Sequence, residues 1–219
     1  MSSKEAILGR IRSALADVPD VAAADDVAVD WTYGQRPEGA ADDMIGLFVE
    51  RVEDYKAVVS WVTPDELPVR IANALTDHGA TSAVVPAGAP AAWHEAVAAA
   101  GITVVTDDPV LSHQQLDATG GVVTASRVGI AETGTIVLDH ADDQGRRALS
   151  LVPDLHVCVI STDQVVSDVP EAVVRLQPSI DARQPLTWIS GPSATSDIEL
   201  NRVEGVHGPR TLHVLLVNK

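Results

Sequence analysis

Apolar positions change their spacing along the chain, and each spacing predicts an element. Over residues 3 to 16, Ile7, Leu8, Ile11 and Leu15 fall on one stripe of a helix that a serine can cap. Ile45, Phe48, Val52 and Tyr55 recur every three or four residues, which predicts a second helix with one face on a core. The stretch from Ala16 to Ala40 is rich in Asp, Ala, Pro and Gly and reads as an extended arm anchored by Trp31 and Tyr33. From Lys56 the pattern becomes regular. KAVVSWV is a strand, and TPDE (63 to 66) is a capping box: Thr63 accepts from the first turn, Pro64 takes the first helical position and Glu66 reaches back. Pro68 is expected to kink that turn, and Gly79 to close the helix after His78. TSAVVP (81 to 86), PAAWHEAVAAAG (90 to 101) and ITVVT (102 to 106) continue as strand, helix and strand, the rhythm of parallel crossovers.

Beyond Asp117 strands arrive faster than helices. GGVVTA, GIAETGTIVLD (129 to 139), LHVCVI (155 to 160), LTWIS (186 to 190) and LHVLLV (212 to 217) all read as strands, with residues 162 to 176 the one long helical candidate between them. The expected architecture is α/β, a mostly parallel sheet sandwiched by helices with an antiparallel insertion near Glu132. Residues 1 to 55 form an N-terminal helical arm and residues 56 to 219 the α/β domain.

Composition narrows the function. The chain is 46% hydrophobic but only 3% aromatic, so small aliphatic side chains must fill the core. Fifteen Lys and Arg against 31 Asp and Glu give a net charge of -16, which repels phosphate backbones and argues against nucleic-acid binding. No apolar run is long enough to span a bilayer, and the N-terminus lacks an apolar signal region, so a soluble cytoplasmic protein is expected. The single Cys158, in an apolar run, reads as a buried small hydrophobe and cannot by itself make a disulfide or an iron–sulfur site. No GxGxxG, GxxxxGK[ST], HExxH, CxxC or GxSxG is present, which argues against dinucleotide dehydrogenases, P-loop NTPases, zincins and α/β-hydrolases. The seven histidines show no pair at helical ligand spacing. No metal ligand is therefore assigned, and a metal site arises only if the fold assembles one.

Two segments remain chemically dense. Residues 131 to 157 hold Glu132, Thr133, Gly134, Thr135, Arg147 and Ser150; residues 189 to 214 hold Ser190, Gly191, Ser193, Asp197, Glu199, His207 and Gly208. SGPSATSD follows the strand LTWIS, at a strand's carboxyl end, the edge where open α/β sheets bind ligands. Each feature has a plainer alternative. ETGT fits a hairpin tip with Gly134 at positive φ and Glu132 in water, SGPSATSDIE fits a loop ending in a helix cap, and Arg147 could simply pair with a nearby acid.

AETGTIVL (131 to 138), the R-x-x-S-L-x-P-x-x-H run from Arg147 to His156, SGPSATSDIE (190 to 199) and GVHGP (205 to 209) together resemble the LUD domain family. The resemblance covers the chain from about Asp117 onward, with a looser fit before it. It implies a three-layer α/β/α sandwich similar to the NagB, ribose-5-phosphate isomerase and CoA-transferase group. It also implies a role in L-lactate oxidation to pyruvate beside other proteins of a lactate-utilization operon, with any iron–sulfur clusters in those partners and no cofactor in this chain.

Three functions follow. The first is an accessory or small-anion-binding subunit, with Arg147, Ser150, Ser190 and Ser193 and nearby backbone amides on the anion; the full ligand-binding set is Thr133, Gly134, Thr135, Arg147, Ser150, Ser190, Gly191, Ser193, Asp197, Glu199 and Gly208. The second is an independent acyl-transfer or isomerase-type enzyme with Glu132 as nucleophile or base and His207 or Glu199 as the second acid/base group. The third is a scaffold whose 1 to 55 arm docks on another subunit.

Overall fold

A computed structural model describes residues 3–18, 43–195, 203–204 and 208–218. The chain divides into two compact units, Met1–Tyr33 and Gly34–Lys219. The first contains helix α1 (Ser3–Ala14), which buries none of its residues; its stripe of Ile7, Leu8 and Ile11, with Leu15 just beyond, is exposed.

The larger unit opens with α2 (Met44–Asp54), capped by Asp43, whose side chain accepts from the Gly46 amide. Then follow β1 (Val58–Val62), α3 (Leu67–Asp77), β2 (Ser82–Val84), α4 (Ala91–Ala99), β3 (Thr103–Val105), α5 (His113–Asp117) and β4 (Val122–Thr124). A hairpin of β5 (Val128–Ile130) and β6 (Thr135–Leu138) leads to β7 (Leu155–Ser161), β8 (Val165–Val166), α6 (Val169–Asp181) and β9 (Thr187–Ile189). The ribbon β10 (Ala194–Thr195) and β11 (Val203–Glu204) precedes the last strand, β12 (Thr211–Val217).

The central sheet is parallel throughout, in the order β1-β12-β7-β4-β2-β3. Its middle strands are covered on both faces, so β7 and β12 read as near-continuous apolar runs. One face packs Val62, Val123, Val157, Leu215 and Val217 under Ile71 and Leu75 of α3 and Trp93 and Val97 of α4. The other packs Cys158, Ile160, Val214 and Leu216 against Phe48 and Val52 of α2 and Ile136 and Leu138 of β6. Burying Phe48 and Val52 contributes about 1.5–3 kcal/mol each, which ties α2 to the α/β core.

The α/β fold with a mostly parallel central sheet is as the sequence implied, and the antiparallel hairpin lies at Glu132. Three details differ. The hairpin strands leave the central sheet and form a second, four-stranded one, β8-β5-β6-β9, whose outer face carries Ala172 and Leu176 of α6. A 3-10 turn, Thr162–Gln164, and β8 occupy the start of the expected helix 162 to 176; α6 begins at Val169, where Asp168 accepts from the Glu171 amide, and runs to Asp181. In TPDE, Glu66 does reach back to the Thr63 amide, but the Thr63 hydroxyl donates to Glu66 rather than accepting from backbone, and the helix starts at Leu67. Pro68 thus sits in the first turn, where its missing N–H costs nothing.

Candidate functional site

The hairpin turn is a tight one. Gly134 takes φ +59°, and a Cβ there would lie 2.7 Å from backbone and side-chain atoms of Arg51 on α2, so the turn needs glycine for both reasons. With the turn so placed, the hydroxyls of Thr133 and Thr135 meet at 2.7 Å, and Thr135 meets Ser190 at 2.8 Å. This chain of three hydroxyls joins the ETGT and SGPS motifs, which the sequence separates. Gly191 is again left-handed (φ +83°), packed on Tyr55 at the end of α2, where a Cβ would come within 2.4 Å.

Ser190 faces a cavity of about 260 Å³. Ser150 and Leu151 form one side, Thr187 to Ser193 another, and Gly208, Pro209, Leu212 and His156 the rest. The approaches to β7 and β12 are tied together beside it. The Thr211 amide donates to the Asp154 carbonyl at 3.0 Å, Arg210 pairs with Asp154, and the Ser193 amide donates to the Pro209 carbonyl at 2.8 Å. His156 and Leu212 are the second residues of their strands, so the cavity lies at the amino edge of the central sheet. The expected carboxyl edge is corrected in that sense: SGPS does leave the carboxyl end of a strand, but β9 belongs to the second sheet.

The carboxyl edge holds another cavity, about 360 Å³, lined in part by Trp93, Ser126, Asp143, Ser161 and Asp163. Burial raises the Asp143 carboxyl above its ordinary range. Two acids on its wall make it the poorer place for an anion.

His156 also lines this cavity and is absent from the expected set, although it closes the R-x-x-S-L-x-P-x-x-H run. It is buried, and its Nε2 lies 2.7 Å from the buried Thr124 hydroxyl on β4. Burial lowers its pKa to about 4, so the ring is neutral at pH 7. Cys158, two residues on, is buried and its thiol is pushed up to about 12 by burial, with the Thr124 hydroxyl opposing. Thr187 is held by His140 Nε2 at 2.8 Å, and His140 Nδ1 sits 2.9 Å from the Gly145 carbonyl.

Of the expected residues, Ser150, Ser190, Gly191, Ser193 and Gly208 line the cavity, with Thr133 and Thr135 behind Ser190. Arg147 does not: its side chain is exposed, and its contribution here is a carbonyl that accepts from the Ser150 hydroxyl at 3.2 Å. The neighbouring Arg146 makes the fork, to Asp107 at 2.6 and 3.1 Å and to the Leu111 carbonyl at 2.7 Å. Glu132 is exposed on the turn and outside the cavity wall, its amide donating to the Ser167 carbonyl at 3.0 Å. Asp197, Glu199 and His207 lie outside the described residues. Among the described residues no charged side chain lines the cavity, and no group of three or more His, Cys, Asp or Glu is placed to hold a metal. None of the described helices is long and apolar enough to cross a membrane.

The LUD domain family model matches residues 45–217. The chain is 51% identical over 175 residues to a lactate utilization protein C of Deinococcus radiodurans, covering 80% of each. It is 27% identical over 210 residues to a protein of the same name from Geobacillus thermodenitrificans, covering 88% of this chain and 85% of that one. Among solved structures it is similar to a DUF162 family protein from Deinococcus radiodurans, with TM-score 0.69 and 43% identity over 80% of this chain and 96% of that one. The match over most of the chain shows that the chain belongs to the LUD domain family.

Proposed function

We propose that this chain is a small-carboxylate-binding component of an L-lactate utilization system, working beside iron–sulfur proteins that carry the electrons. The observation that supports it best is the convergence of Ser150, Ser190 and Ser193 with a neutral His156 on one cavity of about 260 Å³. That volume lies below the usual range for drug-sized ligands and suits a molecule of a few heavy atoms. Hydroxyls and a neutral ring can hold a carboxylate and a hydroxyl or keto oxygen by hydrogen bonds. Leu151, Ile189 and Leu212 offer an apolar wall for a methyl group. Without a cationic side chain on the described wall, such binding is weak and nearly independent of salt. A role in lactate utilization accords with the names of the relatives. One cysteine cannot by itself supply the thiolate set of a cluster, which is consistent with redox centres carried by partner proteins. The enzyme alternative rested on Glu132, and the exposed position of that carboxylate lends it no support.

Two measurements test the reading. Deleting the gene should abolish growth on L-lactate and spare growth on glucose; unimpaired growth on lactate overturns the pathway assignment. NMR titration of the purified chain with L-lactate and pyruvate should shift resonances around Ser190 and His156, with at least tenfold weaker binding in Ser190→Ala. Shifts elsewhere, or none, overturn the site.

A further inference from the structure

A second polar cluster lies away from the cavity, on the central sheet's other face. β1 runs parallel to β12 with Val58 opposite His213 and Ser60 opposite Leu215, so Ser60 and His213 project from the same face as Leu215 and Val217. Ile71 and Leu75 of α3 cover that stripe, which ends at His213 below the helix's last turn. His78 caps α3 there, and Gly79, at φ +75°, turns the chain away. The fold therefore assembles two of the histidines that the sequence scatters.

Their geometry is specific. His78 Nε2 lies 3.2 Å from His213 Nδ1, the rings are nearly perpendicular with centroids 5.4 Å apart, and the Ser60 hydroxyl lies 2.9 Å from His213 Nε2. Ser60 can accept the proton on His213 Nε2, which leaves Nδ1 as a lone pair aimed at the neighbouring ring. At 3.2 Å the two nitrogens share one hydrogen bond, which His78 Nε2 donates when His213 Nδ1 holds the lone pair; moving the His78 proton to Nδ1, with a small turn of that exposed ring, frees a second lone pair for a shared ion. Two metal–nitrogen bonds of about 2.0–2.1 Å at a tetrahedral angle span about 3.3 Å between nitrogens, close to the separation observed.

We propose that His78 and His213 anchor one divalent transition-metal ion of the zinc, nickel or copper kind, with water filling the remaining positions and Ser60 fixing the His213 tautomer. Imidazole nitrogens select such ions over magnesium or calcium. A hydroxyl on the far nitrogen of a ligating histidine plays the orienting part that outer-shell partners play in metal sites. The carbonyl end of α3 and the nearby Asp77 charge both favour a cation here. Neither ring need be charged for binding, so the ion enters without net proton release from the pair.

The test uses the untagged full-length chain. Zinc titrated against a chromophoric chelator should load one ion per chain, a step lost in His78→Ala and His213→Ala, weakened about 10- to 100-fold in Ser60→Ala, and kept in the control His113→Ala. His78 is exposed at a helix end, so its variant folds, and it is the decisive one even if His213→Ala does not. Copper EPR should show coupling to two imidazole nitrogens in the native chain and to one in His78→Ala. No tightly held ion in the native chain, or one held equally well by His78→Ala, overturns the proposal.

Discussion

Acidification should unfold this protein through His156. The ring is 1% exposed and bonded at 2.7 Å to Thr124, and burial lowers its pKa from 6.5 to about 4. Near pH 7 folded and unfolded chains both hold the ring neutral, so it contributes no penalty. As the pH falls below 6.5 the unfolded chain binds a proton that the folded chain refuses, and stability drops until about pH 4, where the folded ring titrates too. At 1.36 kcal/mol per pH unit, that interval is worth about 3 kcal/mol, a large share of a typical 5–15 kcal/mol domain stability. Carboxylates push the same way, so the reference is His156→Gln, which has no proton to gain. Urea unfolding between about pH 7 and 4.5 should show the native chain losing roughly 2–3 kcal/mol more than the variant, and the His156 ring resonances should stay flat down to about pH 5. Equal losses, or a ring titrating near its ordinary value, would refute the buried neutral state.

Gly134→Ala should destabilise by more than the ~1–2 kcal/mol of a left-handed alanine, because its Cβ would also meet Arg51 at 2.7 Å; thermal unfolding unchanged from native would contradict this. Arg146→Ala should cost about 1–3 kcal/mol in urea unfolding, since it strips Asp107 of its forked partner, while Arg147→Ala stays within about 0.5 kcal/mol; the reverse order would show that the wrong arginine is structural. Burial works against ionisation of Asp107, yet Arg146 holds its carboxyl below the ordinary range, so that part of the stability should persist above the carboxylate range and fade on acidification. Cys158, buried with its thiol pushed up to about 12, should react with a thiol reagent only as fast as the chain unfolds, and prompt labelling of the native protein would overturn its placement.

Periodicity reveals the parallel part of the fold because β7 and β12 are near-continuously apolar and α2 and α3 each bury one face, whereas the short α5, which buries only Leu116, carries no such pattern. It could not show that β5 and β6 leave the central sheet: their residues are buried on both faces, as central strands are, so the pattern has no term for which sheet they join. The start of α6 was hidden for a similar reason, since Val165 and Val166 suit a helix or a strand, and pairing with β5 decides. At the site, motif chemistry picked Ser150, Ser190, Ser193 and the threonines, which the fold does bring together. The R-x-x-S-L-x-P-x-x-H run points to Arg147, whereas the 3-10 turn Arg147–Ser150 leaves that side chain exposed and the forked contacts fall to Arg146. His156 was visible in its motif, but only burial beside Thr124 makes it a neutral wall of the cavity.

Gly134 and Gly191 explain how the ETGT and SGPS loops come to lie side by side. Gly134 and Gly191 each adopt a left-handed turn pressed against α2, one at Arg51 and one at Tyr55, so a single helix sets the distance between the ETGT and SGPS loops. The hydroxyl chain from Thr133 through Thr135 to Ser190 then fixes their rotation. On this view neither glycine touches a ligand through its own missing side chain alone; both are small so that α2 can come close. Phe48 and Val52 anchor that helix in the core between the two sheets. The cavity's shape therefore depends on packing at α2, a helix that supplies none of the described residues lining it. A substitution such as Val52→Ala, which leaves every hydroxyl in place, should loosen both loops together and weaken ligand binding in proportion to the stability it removes.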